Sequence, residues 1–108
     1  MLKEPKTYDL FFEDDDDEPE KVILVKERYL NDNVAILMFT AEDGEYYADV
    51  TVNLGEKLPD NMAYVDVNNS PWLVKFLKDT GIAEDTGITR QAGYWKVPLY
   101  KFDMSKID

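Results

Sequence analysis

The sequence predicts a small α+β domain, a mainly antiparallel sheet of three to four strands with one helix packed on it. Three observations predict it. Two apolar runs, Val22–Val25 and Val34–Thr40, flank the turn cluster Asn31-Asp32-Asn33. A third run, Tyr46–Val52, alternates in polarity behind an Asp-Gly pair. A single helical pattern, Ser70–Gly81, carries both a start and a stop signal.

The hairpin reading rests on Asn and Asp, which bond their own backbone and tolerate left-handed conformations. Val34–Thr40 is apolar on both parities, the pattern of a strand covered on two sides. Asp43-Gly44 suits a type I′ turn, whose two central residues have positive φ. In the strand that follows, Tyr46, Ala48, Val50 and Val52 share one face, and Tyr47, Asp49 and Thr51 the other. These three strands make a meander. Leu54–Met62 reads as a loop and Ala63–Val67 as a short strand.

For the helix, Ser70 is the expected N-cap and Pro71 the first helical residue, where a missing N–H costs nothing. Gly81 supplies the left-handed stop, and Trp72 with Phe76 makes an i,i+4 pair. Gly81, Gly87 and Gly93 suggest a flexible connection before a last strand, Tyr94–Phe102. Pro98 cannot donate to a ladder, so that strand is expected at an edge or with a bulge. The tail from Asp103 is expected to fray.

Charge divides the chain more sharply than hydropathy does. Twelve Lys and Arg face 23 Asp and Glu, a formal charge of -11. Residues 1–20 carry net -7, residues 21–60 net -4, and residues 61–108 none. The expected organisation is therefore an acidic leader over 1–20 and one α+β domain over 21–108. The leader is expected loose over 1–7, docked through Tyr8, Leu10, Phe11 and Phe12, and solvent-facing from 13 to 20. Six consecutive carboxylates, Glu13, Asp14, Asp15, Asp16, Asp17 and Glu18, cannot share a core without partners or protons.

Composition also removes chemistry. With neither Cys nor His, the chain has no thiolate nucleophile, no imidazole base and no zinc site of sulfur or imidazole. The acidic run does not fit a calcium loop: Pro19 stands where the turn glycine belongs, and Val25 occupies the twelfth position. No catalytic residue, cofactor site or metal site is expected, and the chain is not expected to be an enzyme. Net acidity disfavours direct binding to nucleic acid. No run is long enough to span a membrane, and no secretory signal is visible, so a cytoplasmic location is expected.

The expected partner is another protein with a basic surface. In an extended acidic segment, side chains on one face repeat at about 6.6 Å. Such a strip suits a groove built for phosphates; a solvated, purely solubilising flank explains the same run. Trp72 and Trp95 are candidate anchors for that partner, with ordinary core packing as the plainer reading. Arg90, near Gln91 and Lys96, is a candidate anion contact, with a structural salt bridge as the plainer reading.

Several strings acquire meaning together: Leu10-Phe11-Phe12-Glu13-Asp14-Asp15-Asp16, Thr51-Val52-Asn53-Leu54, Asn68-Asn69-Ser70-Pro71-Trp72, Gly81-Ile82-Ala83 and Pro98-Leu99-Tyr100. In combination the chain resembles a family of small acidic bacterial proteins of unknown function associated with plasmids and conjugative elements. The resemblance implies no active-site residue. It implies a protein-binding module of a mobile element, acting as an acidic nucleic-acid mimic or inhibitor on a host nucleic-acid-binding or defence protein. The alternative is an adaptor that binds through its sheet edge or helix face, with the leader serving solubility only.

Overall fold

Strand pairing follows the apolar runs but produces two sheets where the sequence suggested one. The computed structural model describes residues 6–10 and 20–107. Its strands are β1 (Tyr8–Leu10), β2 (Glu20–Arg28), β3 (Val34–Thr40), β4 (Tyr46–Asp49), β5 (Thr51–Val52), β6 (Met62–Val65), β7 (Ala83–Ala92) and β8 (Trp95–Phe102). Helix α1 is Leu73–Thr80, and a 3-10 turn spans Met104–Lys106. The first sheet has the order β1-β2-β3-β4 and the second β5-β6-β8-β7, with every pair antiparallel.

The α+β class holds, and the expected meander is β2-β3-β4. What divides the sheet is the segment from Tyr46 to Val52, which changes partners in mid-course. Val50 N–H donates to the Ile36 carbonyl at 2.9 Å, while the Val50 carbonyl accepts from Asp66 N–H at 3.0 Å. The same segment thus runs along β3 and then along β6. Its alternation fails twice. Phe39 opposes Tyr46 and Met38 opposes Ala48, which leaves Tyr47 as the extra residue of a bulge. At the corner both Val50 and Thr51 are buried. Thr51 is polar there because its hydroxyl accepts from Ile36 N–H at 3.1 Å and pairs with the Tyr29 hydroxyl at 2.9 Å.

The main core lies between the two sheets and is closed by α1. Val22, Leu24, Ile36 and Met38 of the first sheet meet Ala63, Val65, Tyr100 and Phe102 of the second, with Leu73, Phe76 and Leu77 from the helix. Phe76 meets Tyr8 edge-on at 6.5 Å, and Trp72 meets Tyr47 at 5.8 Å. Trp72, just before the helix, and Phe76 within it therefore engage tyrosines of the first sheet. Gly81 ends α1 at φ 68 and donates to the Leu77 carbonyl at 3.0 Å, as expected of a left-handed stop.

At several points the structure departs from the pattern of the sequence. The helix begins at Leu73, not Pro71, and Ser70 does not cap it with its hydroxyl; Ser70 instead accepts from Leu73 N–H through its carbonyl, in a turn that precedes α1. At Asp43-Gly44 only Gly44 has positive φ, so the turn is not type I′. It closes with Gly44 N–H to the Thr40 carbonyl and Thr40 N–H to the Glu45 carbonyl. The stretch from Gly81 to Gly93 is not a flexible connection, because most of it is β7, which pairs with β8 at both ends, over Ala83–Asp85 and Thr89–Ala92. The tail does not fray: Ile107 is buried, Asp103 caps the 3-10 turn by accepting from Ser105 N–H, and the Tyr8 hydroxyl donates to the Lys106 carbonyl at 2.6 Å.

Pro98 meets its constraint through an irregularity. Strand β8 lies between β6 and β7, but β6 pairs only with Leu99–Lys101, and the β7 register shifts between Asp85 and Thr89. In that shift Gly87 takes φ 83, and the Thr86 hydroxyl donates to the Leu99 carbonyl at 2.8 Å.

The corner hydroxyl gives a direct stability test. Thr51→Val leaves the buried Ile36 N–H without its partner, while the Tyr29 hydroxyl keeps the Thr51 carbonyl at 3.2 Å, and should cost about 1–3 kcal/mol in urea unfolding. Thr51→Ser keeps the hydroxyl and should cost less than half of that.

Candidate functional site

The two sheets differ in how their outer faces are covered. On the second sheet, Tyr64, Val97 and Leu99 face away from the main core and form a smaller one with Leu54, Leu58 and Met62. The loop between β5 and β6 thus lies over this face, and polar contacts hold it there. Buried Asn33 donates to the Glu56 carbonyl at 2.6 Å and accepts from Leu58 N–H at 2.9 Å. The Glu56 carboxylate accepts from the Tyr64 hydroxyl at 2.7 Å and pairs with Arg90 at 3.1 Å.

On the first sheet the register puts Ile23 opposite Phe39, Val25 opposite Leu37, and Tyr46 opposite Phe39, all away from the main core. Ile23, Val25, Leu37 and Phe39 are half-buried, and Tyr46 is 59% exposed. Tyr46 and Phe39 touch edge-on at 6.1 Å. Among the described residues no loop lies over this face. Carboxylates surround it: Asp49 opposes Leu37 on β4, Glu27 opposes Ala35 on β2, and Asp9 sits opposite Lys21, to which it is paired. The β3–β4 turn adds exposed Glu42, Asp43 and Glu45 at the near end.

The sequence candidates fall elsewhere. Trp72 is half-buried against the main core. Trp95 is 62% exposed at the end of the β7–β8 hairpin, next to Tyr94 at 99%. That hairpin closes through Gly93-Tyr94, with positive φ at Gly93 alone, which fits a type II′ turn. Arg90 lies on the same hairpin, on the face of Val97, and its guanidinium holds Glu56. Trp72, Trp95 and Arg90 therefore do not converge on one site. Glu13, Asp14, Asp15, Asp16, Asp17 and Glu18 lie outside the described residues, as do Phe11 and Phe12. The sequence reading missed the face of Ile23, Val25, Leu37, Phe39 and Tyr46. Its signal is the double-parity apolar pattern of β3, which reads in the sequence as a strand covered on two sides.

An open cleft of about 810 Å³ lies between the end of α1 and the sheet, lined among others by Val74, Lys78, Glu84, Asp85, Lys101 and Asp103. Its charges are mixed. Among the described residues no group of three acidic side chains is placed to hold a metal ion, and no helix is long and apolar enough to cross a membrane.

Compared with known proteins, residues 13–108 match a family model described as a domain of unknown function, DUF4313. No curated protein and no solved structure matches the chain.

Several tyrosines give the fold a pH signature. Burial raises Tyr29, Tyr47, Tyr64 and Tyr100 above the ordinary 10.0; at Tyr64 the Glu56 carboxylate adds to it, and at Tyr100 Asp85 does. Tyr46 is raised in the same way, by burial and then by Asp49. A raised folded-state value favours the neutral phenol, so this stability is fully present below pH 10 and is lost as pH rises through the folded values. Thermal melts should keep a constant midpoint up to about pH 9 and fall beyond pH 10. Absorbance at 295 nm should show delayed tyrosinate formation until unfolding.

Proposed function

Since the chain belongs to the DUF4313 family, whose function is unknown, we propose that it is a noncatalytic protein-binding module for a partner with a basic surface. The observation that carries this reading is the outer face of the first sheet. An apolar centre of Ile23, Val25, Leu37, Phe39 and Tyr46 is bordered by Asp9, Glu27 and Asp49. Four of these side chains are part-exposed and Tyr46 is 59% exposed, and a contiguous apolar patch with a polar rim is the kind of surface that marks an interaction site. An interface needs this combination because apolar burial supplies affinity, whereas the charged rim supplies orientation and rate.

The acidic run Glu13–Glu18 extends the same electrostatic preference in sequence, and the chain as a whole carries -11. The resemblance to proteins of plasmids and conjugative elements supports a setting in a mobile element. There the partner is a host nucleic-acid-binding or defence protein in the cytoplasm, and the acidic surface occupies the groove meant for phosphates. A second reading has its own support. The β7 edge of the second sheet is open, and Tyr94 and Trp95 stand exposed beside it, which suits an adaptor that binds through a sheet edge.

Affinity capture from lysate with four forms of the full chain separates these readings. Glu27→Lys with Asp49→Lys should cut partner recovery about tenfold and flatten its salt dependence, because exposed opposite charges attract most strongly at low salt. Asp14–Asp17 changed to Asn should give a graded loss of the same kind. Trp95→Ala should leave recovery unchanged. Loss confined to Trp95→Ala overturns the acidic-face reading in favour of the sheet edge.

A further inference from the structure

Resting on that protein-binding reading, we propose that the outer face of the first sheet receives an amphipathic helix with basic flanks from the partner. The backbone at the centre of the face is already committed. Strand β3 is paired on both sides from Leu37 to Phe39, so an extended segment finds no ladder to join there. A helix satisfies its own backbone and presents one apolar stripe, and helix on sheet is a standard way to bury a sheet face.

The dimensions agree. The apolar centre spans β2, β3 and β4, about 10 Å across at ordinary strand spacing, which matches the diameter of a helix with side chains. Glu27 and Asp49 lie two strands and two residues apart in register, about 12 Å. Cationic side chains seven or eight residues apart on a helix are separated by about 11–12 Å.

Charge selects the sign of the flanks. Among the described strand residues of this face Lys21 is the cation, and it is paired with Asp9. Glu27 and Asp49 border the apolar centre, and Glu42, Asp43 and Glu45 lie at its end. An acidic helix would meet like charges on these sides. Among the described residues the second sheet has no equivalent opening, because Leu54 and Leu58 pack on its outer face.

The test uses an 18-residue Leu/Lys peptide with Leu at helical spacing, titrated into the full chain by calorimetry and by amide chemical shifts. Two comparison peptides are a Leu/Lys sequence of strict alternation and a Leu/Glu sequence at helical spacing. The helical Leu/Lys peptide should bind at least tenfold tighter than either, gain helicity on binding, and shift the amides of Ile23, Val25, Leu37 and Phe39. Val25→Asn with Leu37→Asn, accepted only with a wild-type circular dichroism spectrum, should weaken binding at least tenfold. Equal binding of the alternating peptide, or shifts centred on Tyr94 and Trp95, would overturn it; the shift map needs no variant to fold. If the Val25/Leu37 variant loses partner capture while both Leu/Lys peptides bind equally, the helix inference falls and the protein-binding reading stands. Full capture by that variant defeats the reading itself.

Discussion

At Val50 and Thr51 one chain segment passes from the first sheet to the second, and its backbone must be satisfied in both. A strand that leaves one ladder for another strands the donors it abandons, and each buried, unpaired amide costs about 1–3 kcal/mol. Here the Thr51 hydroxyl takes the place of a ladder carbonyl for Ile36 N–H, and Val50 bonds to both sheets through its own N–H and carbonyl. The turn in direction brings the inner faces of the two sheets toward each other. That in turn makes room for α1, whose Leu73, Phe76 and Leu77 complete the core.

The same corner explains why the outer faces differ. The chain leaves β5 on the second sheet, so the loop that follows lies over that sheet's outer face, where Leu54 and Leu58 find Tyr64, Val97 and Leu99. Asn33 and Glu56 then hold the loop from both sides. Arg90 belongs to this fastening. The first sheet receives no comparable loop among the described residues, and its outer face keeps Leu37, Phe39 and Tyr46 in reach of solvent. An apolar face left in contact with water, with carboxylates around it, is suited to a partner of opposite charge.

Elements whose stability comes from local pattern were legible in the sequence. The β2–β3–β4 meander, the helix core and the Gly81 stop each rest on a few adjacent residues. Strand β7 was not legible, because Glu84, Asp85, Thr89, Arg90 and Gln91 are exposed on both faces and show no period of two. Its only local marker was the two-residue Gly93-Tyr94 turn closing Ala92 against Trp95. The break in alternation at Val50 was hidden for a different reason: Thr51 faces inward only because Ile36 and Tyr29, distant in sequence, supply its partners. For the candidate site, the apolar doubling of β3 was visible, but which of its faces the chain would cover depends on the corner. Single-residue features such as Ile107 in the core depend likewise on contacts that no short window contains.

Native-state hydrogen exchange at the corner reads the coupling of the two sheets. If the two sheets are one cooperative unit joined at Val50 and Thr51, the amides of Ile36, Val50 and Asp66 should be among the slowest in the chain and should exchange with the free energy of global unfolding. They should also share the denaturant dependence of Leu24 in the first sheet and Tyr100 in the second. Exchange of these corner amides by a lower-energy opening, with one sheet still protected, would contradict it.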